Sequence, residues 1–183
     1  MLNYATDVYT EFMVKRKRSP QNIALIIAAL VFGVLIIYFT GPILFTYFGP
    51  SSGSMLFFLV IAVAYGIYYL NSIQNLEFEY AFTNGDLTID KIVNRKSRKR
   101  LTSFDCKEIQ EMGDYAQNIN KLAEKKFENK FFCSINEDGA DAMYIAVKCR
   151  KTGYTLLVFD PSEKMLDAIT NAIPRHLRNT IIK

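Results

Sequence analysis

The chain has 183 residues, half of them hydrophobic, and a formal net charge of +4 at pH 7. The chain after Leu76 contains eighteen cationic and sixteen acidic residues. It therefore lacks the strong excess of basic residues that is typical of a nucleic-acid-binding protein. Three isolated cysteines, one histidine and no glycine-rich phosphate loop give no constellation for catalysis, a metal or a cofactor. We therefore expect a non-enzymatic protein without catalytic residues, metal or cofactor.

Residues 1–18 are the first predicted segment. Apolar residues recur at helical spacing in Met1–Met13, which favours a short amphipathic helix lying in a membrane interface. A frayed, partly ordered tail is the alternative for so short a segment. The segment ends in a basic flank of four consecutive cations, Lys15–Arg18.

Residues 19–75 contain no charged side chain, and this predicts a transmembrane helical hairpin. Two apolar spans, at about residues 22–40 and 54–72, each approach the length that crosses a bilayer. Clusters of glycine and proline between the spans, at Gly41-Pro42 and Gly49-Pro50, are typical of helix ends. Lys15–Arg18 flank the first span, the connecting loop has no cation, and many more cations follow Leu76, so both termini are predicted to be cytoplasmic.

Small residues at helical spacing lie in both spans and allow two helices to approach closely. They can serve packing of the hairpin on itself or self-association of two copies. The candidate packing residues are Ala24, Ala28, Ala29, Gly33, Ala62 and Gly66.

Residues 76–183 read as one domain of seven short strands and a closing helix. Leu76–Phe82 alternates apolar and polar residues, Asn84-Gly85 favours a tight hairpin turn, and Asp86–Val93 returns beside it. The remaining strands are predicted at 99–104, 107–112, 131–135, 142–149 and 154–159, with a polar excursion of helical spacing at 113–130.

The closing helix has a marked start, with Asp160 as N-cap, Pro161 at its first position and Glu163 at its third. Pro174 ends or kinks it. The predicted fold is therefore α+β: an N-terminal two-helix transmembrane hairpin, then a seven-stranded antiparallel β-barrel of the pleckstrin-homology (PH) type, capped by a C-terminal α-helix.

A hairpin followed by the run FEYAFTNGDLTIDKI from Phe78 and the basic run NRKSRKR ending at Arg100 resembles the bacterial membrane-anchored PH-like families. It is especially similar to small, uncharacterised two-span bacterial proteins with a C-terminal PH-like barrel. The resemblance implies the fold and a multi-pass location in a bacterial plasma membrane. The tight Asn84-Gly85 turn differs from the long first loop that carries the basic site of eukaryotic phosphoinositide-binding PH domains.

A basic cluster on the next hairpin is the candidate contact site. A solvated hairpin, a contact with anionic lipid of the inner leaflet and a docking site for an acidic partner are three interpretations of it. The cluster consists of Lys91, Arg95, Lys96, Arg98, Lys99 and Arg100.

These features predict a membrane protein whose PH-like domain is a binding or scaffolding module. Its expected partners are membrane lipids and either another protein or a second copy, and not nucleic acid. The alternative is an accessory subunit of a membrane enzyme or transport complex that docks through its transmembrane hairpin.

Overall fold

The structure is a computed structural model that describes residues 8–149 and 152–181, with side chains of 179–181 excepted. The expected segment Met1–Met13 therefore lies partly outside the described residues. The chain divides into two compact units. A helical unit comprises Arg18–Asn75, and a strand-rich unit combines the chain before it, up to Lys17, with the chain from Leu76 onward.

The helical unit consists of α1 (Pro20–Phe48), a 3-10 turn (Gly49–Ser51) and α2 (Ser52–Ile73). The two helices pack antiparallel, because Gly33 faces Val63 while Gly41 faces Leu56. By length and composition the helical segment Pro20–Ile73 counts as one candidate membrane-crossing helix. The two separate membrane spans therefore stay a prediction.

The helix α1 continues through Gly41-Pro42, where the sequence predicted its end. Pro42 lacks the N–H that would bond the Tyr38 carbonyl four residues earlier, and such a break is tolerated in apolar helices. Other carbonyls of this stretch accept hydroxyl hydrogen bonds: the Thr40 hydroxyl donates to the Ile36 carbonyl at 2.6 Å, and the Thr46 hydroxyl donates to the Pro42 carbonyl at 2.8 Å. The break comes instead at Gly49, whose φ is +56°.

The strand-rich unit has two four-stranded sheets. The first is antiparallel, in the order β1-β2-β3-β4, and the second has the order β5-β7-β8-β6. The strands are β1 Tyr9–Lys15, β2 Leu76–Thr83, β3 Asp86–Val93, β4 Ser97–Asp105, β5 Ile109–Asp114, β6 Asn129–Phe132, β7 Met143–Cys149 and β8 Gly153–Phe159. Three helices complete the unit: α3 Tyr115–Ala123, α4 Glu163–Ala172 and α5 Arg175–Ile181.

The strand β1 replaces the helix that the sequence predicted for this part of the N-terminal segment. Thr10 and Val14 are buried while Tyr9, Glu11 and Met13 are exposed, which is the alternation of a half-buried strand. β1 pairs with β2 in antiparallel register, from Tyr9 opposite Thr83 to Lys15 opposite Glu77. The helical unit is therefore an insertion between two neighbouring strands of one sheet.

The sheets differ from the predicted closed barrel of seven antiparallel strands. Eight strands are present in the described residues, no ladder joins the two sheets, and β6 lies parallel to β8. The chain passes from β6 to β8 through residues 133–142 and the strand β7, which is antiparallel to β8. This connection is a crossover rather than a tight turn, as a parallel pair needs.

The main core lies between the two sheets. Phe78, Tyr80 and Leu87 of the first sheet share it with Ile145 and Leu157 of the second, all of them 2 % exposed or less. The helix α4 adds Met165 and Ile169 to this core, and α3 covers the other face of the second sheet with Tyr115 and Leu122.

The N-cap of α4 lies two residues later in the chain than the sequence predicted. Ser162 is the N-cap, and its hydroxyl accepts a hydrogen bond from the Met165 backbone N–H. Asp160, the predicted cap, instead accepts from the Ile135 N–H at 2.5 Å. The predicted end is confirmed, because α4 stops at Ala172 just before Pro174.

Candidate functional site

The basic cluster lies on the β3–β4 hairpin, whose turn contains Asn94 and Arg95 with φ of +51° and +57°. Val93, the last residue of β3, stands opposite Leu76, the first residue of β2. The turn therefore lies at the end of the first sheet where β2 begins, and the Asn84-Gly85 turn lies at the far end.

The three arginines of the cluster are paired with carboxylates beneath them. Arg95 Nε lies 3.1 Å from Glu77 Oε1, and Arg100 Nε lies 3.1 Å from Asp90 Oδ1. Arg98 bridges two acids, with its Nε 2.9 Å from Asp90 Oδ2 and its other end against Glu79.

These acids are nearly buried, while the arginine side chains stay at least half exposed. Glu77, Glu79 and Asp90 are 4 to 6 % exposed. A carboxylate in such a position is costly without its cation, so each arginine is held in place by the acid it neutralises. The three arginines are therefore part of the fold and carry little free positive charge for a ligand.

The lysines of the cluster differ from the arginines. Lys91 and Lys99 stand opposite each other across β3 and β4, and Lys96 lies in the exposed turn between them. Within the described residues none of the three forms an ion pair. The same end of the sheet carries exposed Lys15 and Lys17 at the end of β1.

Arg16 is a structural member of the basic flank. Its guanidinium lies 4.8 Å from the centre of the Phe78 ring and donates to the carbonyls of Phe132 and Ser134. The neighbouring Lys17 N–H donates to the Ile135 carbonyl at 2.8 Å. This part of the flank joins the first sheet to the end of β6, which the sequence pattern did not indicate.

The sequence contains one signal for the role of these arginines. Glu77 and Glu79 alternate with the core residues of β2, so the sequence already placed two acids on the outer face of the sheet. The pairing of that face with Arg98 depends on the β3–β4 register, which shifts between Ile89 and Asp90. Such a bulge has no signature in this sequence.

A cavity of about 610 Å³ lies between β5, α3 and the C-terminal helices. Apolar Met143, Leu166 and Leu177 line one part and the polar side chains of α3 another. Burial pushes the pKa of Glu111 upward, but the hydrogen bond from Lys125 and the charges of Lys125 and Lys121 outweigh it and leave that pKa lowered. Its size and mixed lining resemble a small-molecule pocket, but the described groups suggest no reaction.

Cys106, Cys133 and Cys149 are buried. Burial raises the pKa of Cys106 and of Cys133 to about 12, so neither supplies a reactive thiolate near neutral pH. In residues 8–149 and 152–181, no group of three or more His, Cys, Asp or Glu is arranged to hold a metal ion.

The small residues of the helical unit fall into two groups. Ala29, Gly33 and Gly66 line a narrow apolar cleft between α1 and α2, and a Cβ added to Gly33 would lie 2.5 Å from Val63 Cγ1. Ala24, Ala28 and Ala62 do not line this cleft and are exposed, as Gly66 also is. Any role for these six residues in self-association stays a prediction.

Comparison with known proteins identifies one family. The family model described as Bacterial PH-like domain (DUF6106) matches residues 6–179. No curated protein and no solved structure matches the chain. PH-like domains are generally binding modules, which indicates a binding or scaffold role. Since the match spans nearly the whole sequence, including β1 and the inserted helical unit, the chain belongs to the bacterial PH-like domain family DUF6106.

Proposed function

We propose that this protein is a non-enzymatic binding or scaffolding module anchored in the bacterial plasma membrane by its helical unit. The family supports the binding role, and the long apolar helical segment supports the anchor. The observation that carries the proposal is the sheet end that bears Lys15, Lys17, Lys96 and Lys99, close in the chain and in the sheet to where the helical unit is inserted. None of these four lysines forms an ion pair within the described part of the chain.

The pairing of β1 with β2 supports a hairpin that crosses the membrane twice. Lys15 and Glu77 are opposite residues of one ladder, so both ends of the inserted segment belong to the same side of the membrane. A segment with both ends on one side crosses an even number of times. Lys15–Arg18 precede the first end, the segment itself has no cation, and further cations follow the second end from Lys91 onward, which favours the cytoplasmic side for both ends.

The lysines at this sheet end are suited to anionic lipid headgroups. β2 begins at Leu76, three residues after α2 ends, and the β3–β4 turn lies beside that start. Each cation held near an anionic leaflet is attracted by about 1 kcal/mol. Since the helices already anchor the protein, the proposed role of this attraction is to orient the domain and leave its other faces open to a partner.

The test uses the full chain in vesicles with its PH-like domain facing the bulk solution. Ser97→Cys places one accessible thiol beside the turn, since the three native cysteines are buried. We expect its labelling by a water-soluble maleimide to be slowed when phosphatidylglycerol is added to phosphatidylcholine. The slowing should disappear as salt shortens the Debye length from about 10 Å at 0.1 M to about 3 Å at 1 M.

Two matched variants assign the effect to the lysines. Changing Lys15, Lys17, Lys96 and Lys99 to Gln should remove the slowing. Changing four exposed lysines elsewhere removes the same charge and should preserve it. These control positions are Lys126, Lys130, Lys148 and Lys164. Equal labelling rates with and without anionic lipid would show that this sheet end is only solvated.

A further inference from the structure

The tip of the helical unit, the region where the sequence predicted helix ends, is apolar and aromatic. The tip comprises Ile43–Phe58, and helix covers all of it except the 3-10 turn Gly49–Ser51. Five exposed aromatic side chains, each more than half accessible, surround it: Phe45, Tyr47, Phe48, Phe57 and Phe58.

The length of α1 exceeds the hydrocarbon thickness of a bilayer. From Ile23 to Phe48 the helix extends about 39 Å at 1.5 Å per residue. The hydrocarbon core is about 30 Å thick, and the headgroup regions bring the total to about 40–45 Å. The last two turns of α1 therefore fit the outer headgroup region when Ile23 lies at the inner boundary.

Two hydroxyls of the tip are hydrogen-bonded within the helical unit. The Thr46 hydroxyl donates to the Pro42 carbonyl at 2.8 Å, and the Ser54 hydroxyl donates to the Ser51 carbonyl at 2.9 Å. Ser52 is 3 % exposed, and the tip has no charged residue. These are the properties of a segment that leaves water, since unsatisfied polar groups and charges resist transfer into the membrane.

We propose that the tip, Ile43–Phe58, is embedded in the interface of the outer leaflet, with its aromatic side chains among the lipid headgroups. Tyrosine, as at Tyr47, concentrates at this depth because its ring joins an apolar body to a polar hydroxyl. Phenylalanine lies on helix faces that are buried at the boundary between headgroups and acyl chains. This inference rests on the membrane anchorage proposed above. The tip then fixes the depth of the hairpin from the outside, while the lysine-bearing sheet end acts on the inside.

The chain contains no tryptophan, so one introduced indole reports its own surroundings. The full chain is reconstituted in phosphatidylcholine vesicles whose acyl chains carry bromine either near the headgroup or near the chain end. Phe48→Trp is the tip probe, and Tyr47→Trp is a second tip probe in case the first disturbs folding. Phe32→Trp marks the middle of α1, and Ile119→Trp marks the exposed surface of α3.

We expect the tip probes to lose more emission to shallow bromine than to deep bromine and little to aqueous iodide. Phe32→Trp should lose most to deep bromine, and Ile119→Trp should lose emission only to iodide. Iodide quenching of the tip probes as strong as that of Ile119→Trp would overturn the inference. Protection from both bromine and iodide would also overturn it, because a second copy would then cover the tip.

The Phe32→Trp probe separates the two proposals. Iodide quenching at both Phe32→Trp and the tip would show that the helical unit is outside the bilayer, and the membrane anchorage itself would then be wrong. Bromine quenching at Phe32→Trp with iodide quenching at the tip would leave the anchorage intact and reject only the embedded tip.

Discussion

On the outer face of the first sheet, a cation has a structural role where a nearly buried acid lies beside it. Arg98 contacts two nearly buried carboxylates, Glu79 and Asp90, whereas Lys96 has no ion pair in the described part of the chain. The same positive charge therefore has different consequences at two positions of one hairpin. The cluster of cations in the sequence does not distinguish these two positions, because the acids that pair with Arg98 lie on other strands.

We expect Arg98→Gln to lower the free energy of unfolding by about 1–3 kcal/mol, between the values for exposed and buried ion pairs. The loss arises because two carboxylates stay buried with fewer cations beside them. Lys96→Gln should change stability by no more than about 0.5 kcal/mol, as for ordinary surface changes. Urea denaturation of the two variants measures the difference, and equal midpoints would contradict the assigned role of Arg98.

The buried thiols of Cys106 and Cys133 should make the free energy of unfolding depend on pH in the alkaline range. The pKa values of Cys106 and Cys133 rise from 9.0 to about 12 on burial, so the folded state keeps protons that an unfolded chain releases. The stabilisation from these protons is complete below pH 9 and is lost as pH rises toward 12. We expect the urea midpoint to fall across this range.

The matched variant carries Ala at both Cys106 and Cys133. It should be less stable than the native chain at pH 7, because two buried side chains are shortened. Its midpoint should nevertheless fall less steeply between pH 9 and 12. An unchanged slope would assign the alkaline loss to other groups, such as Tyr80, whose pKa burial also raises.

At the scale of elements, the sequence pattern predicted the strands whose pairing partners lie close to them in the chain. The strands β2 and β3 were predicted with nearly their observed bounds, since their alternation and the Asn84-Gly85 turn are all within one hairpin. β1 was missed because its partner lies beyond the inserted helices, and its short apolar pattern also fits a helix. The parallel placement of β6 beside β8 depends on the path of the chain between these two strands, which sequence periodicity does not report.

The sequence predicted where the basic cluster lies, but it did not predict which of its cations are neutralised by acids. The sequence located the basic hairpin, but the neutralising acids became visible only with the strand register. Lys15 and Lys17 were assigned to the membrane flank alone. Their proximity to the β3–β4 turn follows from the pairing of β1, which the sequence did not predict.

The helix α4 provides a test of how an element holds the two sheets together. Ile169 is fully buried in the core between them. Ile169→Asp should therefore cost several kcal/mol, a large part of the ~5–15 kcal/mol that stabilises a domain. Asn171→Asp introduces the same carboxylate on the exposed side of the same helix and should have little effect. Similar melting temperatures for the two variants would show that α4 does not belong to the core.

At the scale of the whole molecule, β1 makes the strand-rich unit independent of the inserted helices. We expect that replacing Arg18–Asn75 with Asn-Gly gives a folded, water-soluble domain, because β1 and β2 are neighbouring antiparallel strands. A fragment of residues 76–183 lacks Val14, which is 3 % exposed in the core, and should unfold at lower temperature. Circular dichroism during heating compares the two, and equal transitions would show that β1 is dispensable.

The place of β1 before the inserted helices also orders the synthesis of the protein. A growing chain produces β1 first, but the strand that pairs with it, β2, appears only after the whole helical segment has been made. The domain therefore cannot close until that segment is complete. If the segment crossed the membrane only once, β1 and β2 would lie on opposite sides of it. The two strands could then not pair, and the domain could not complete its first sheet.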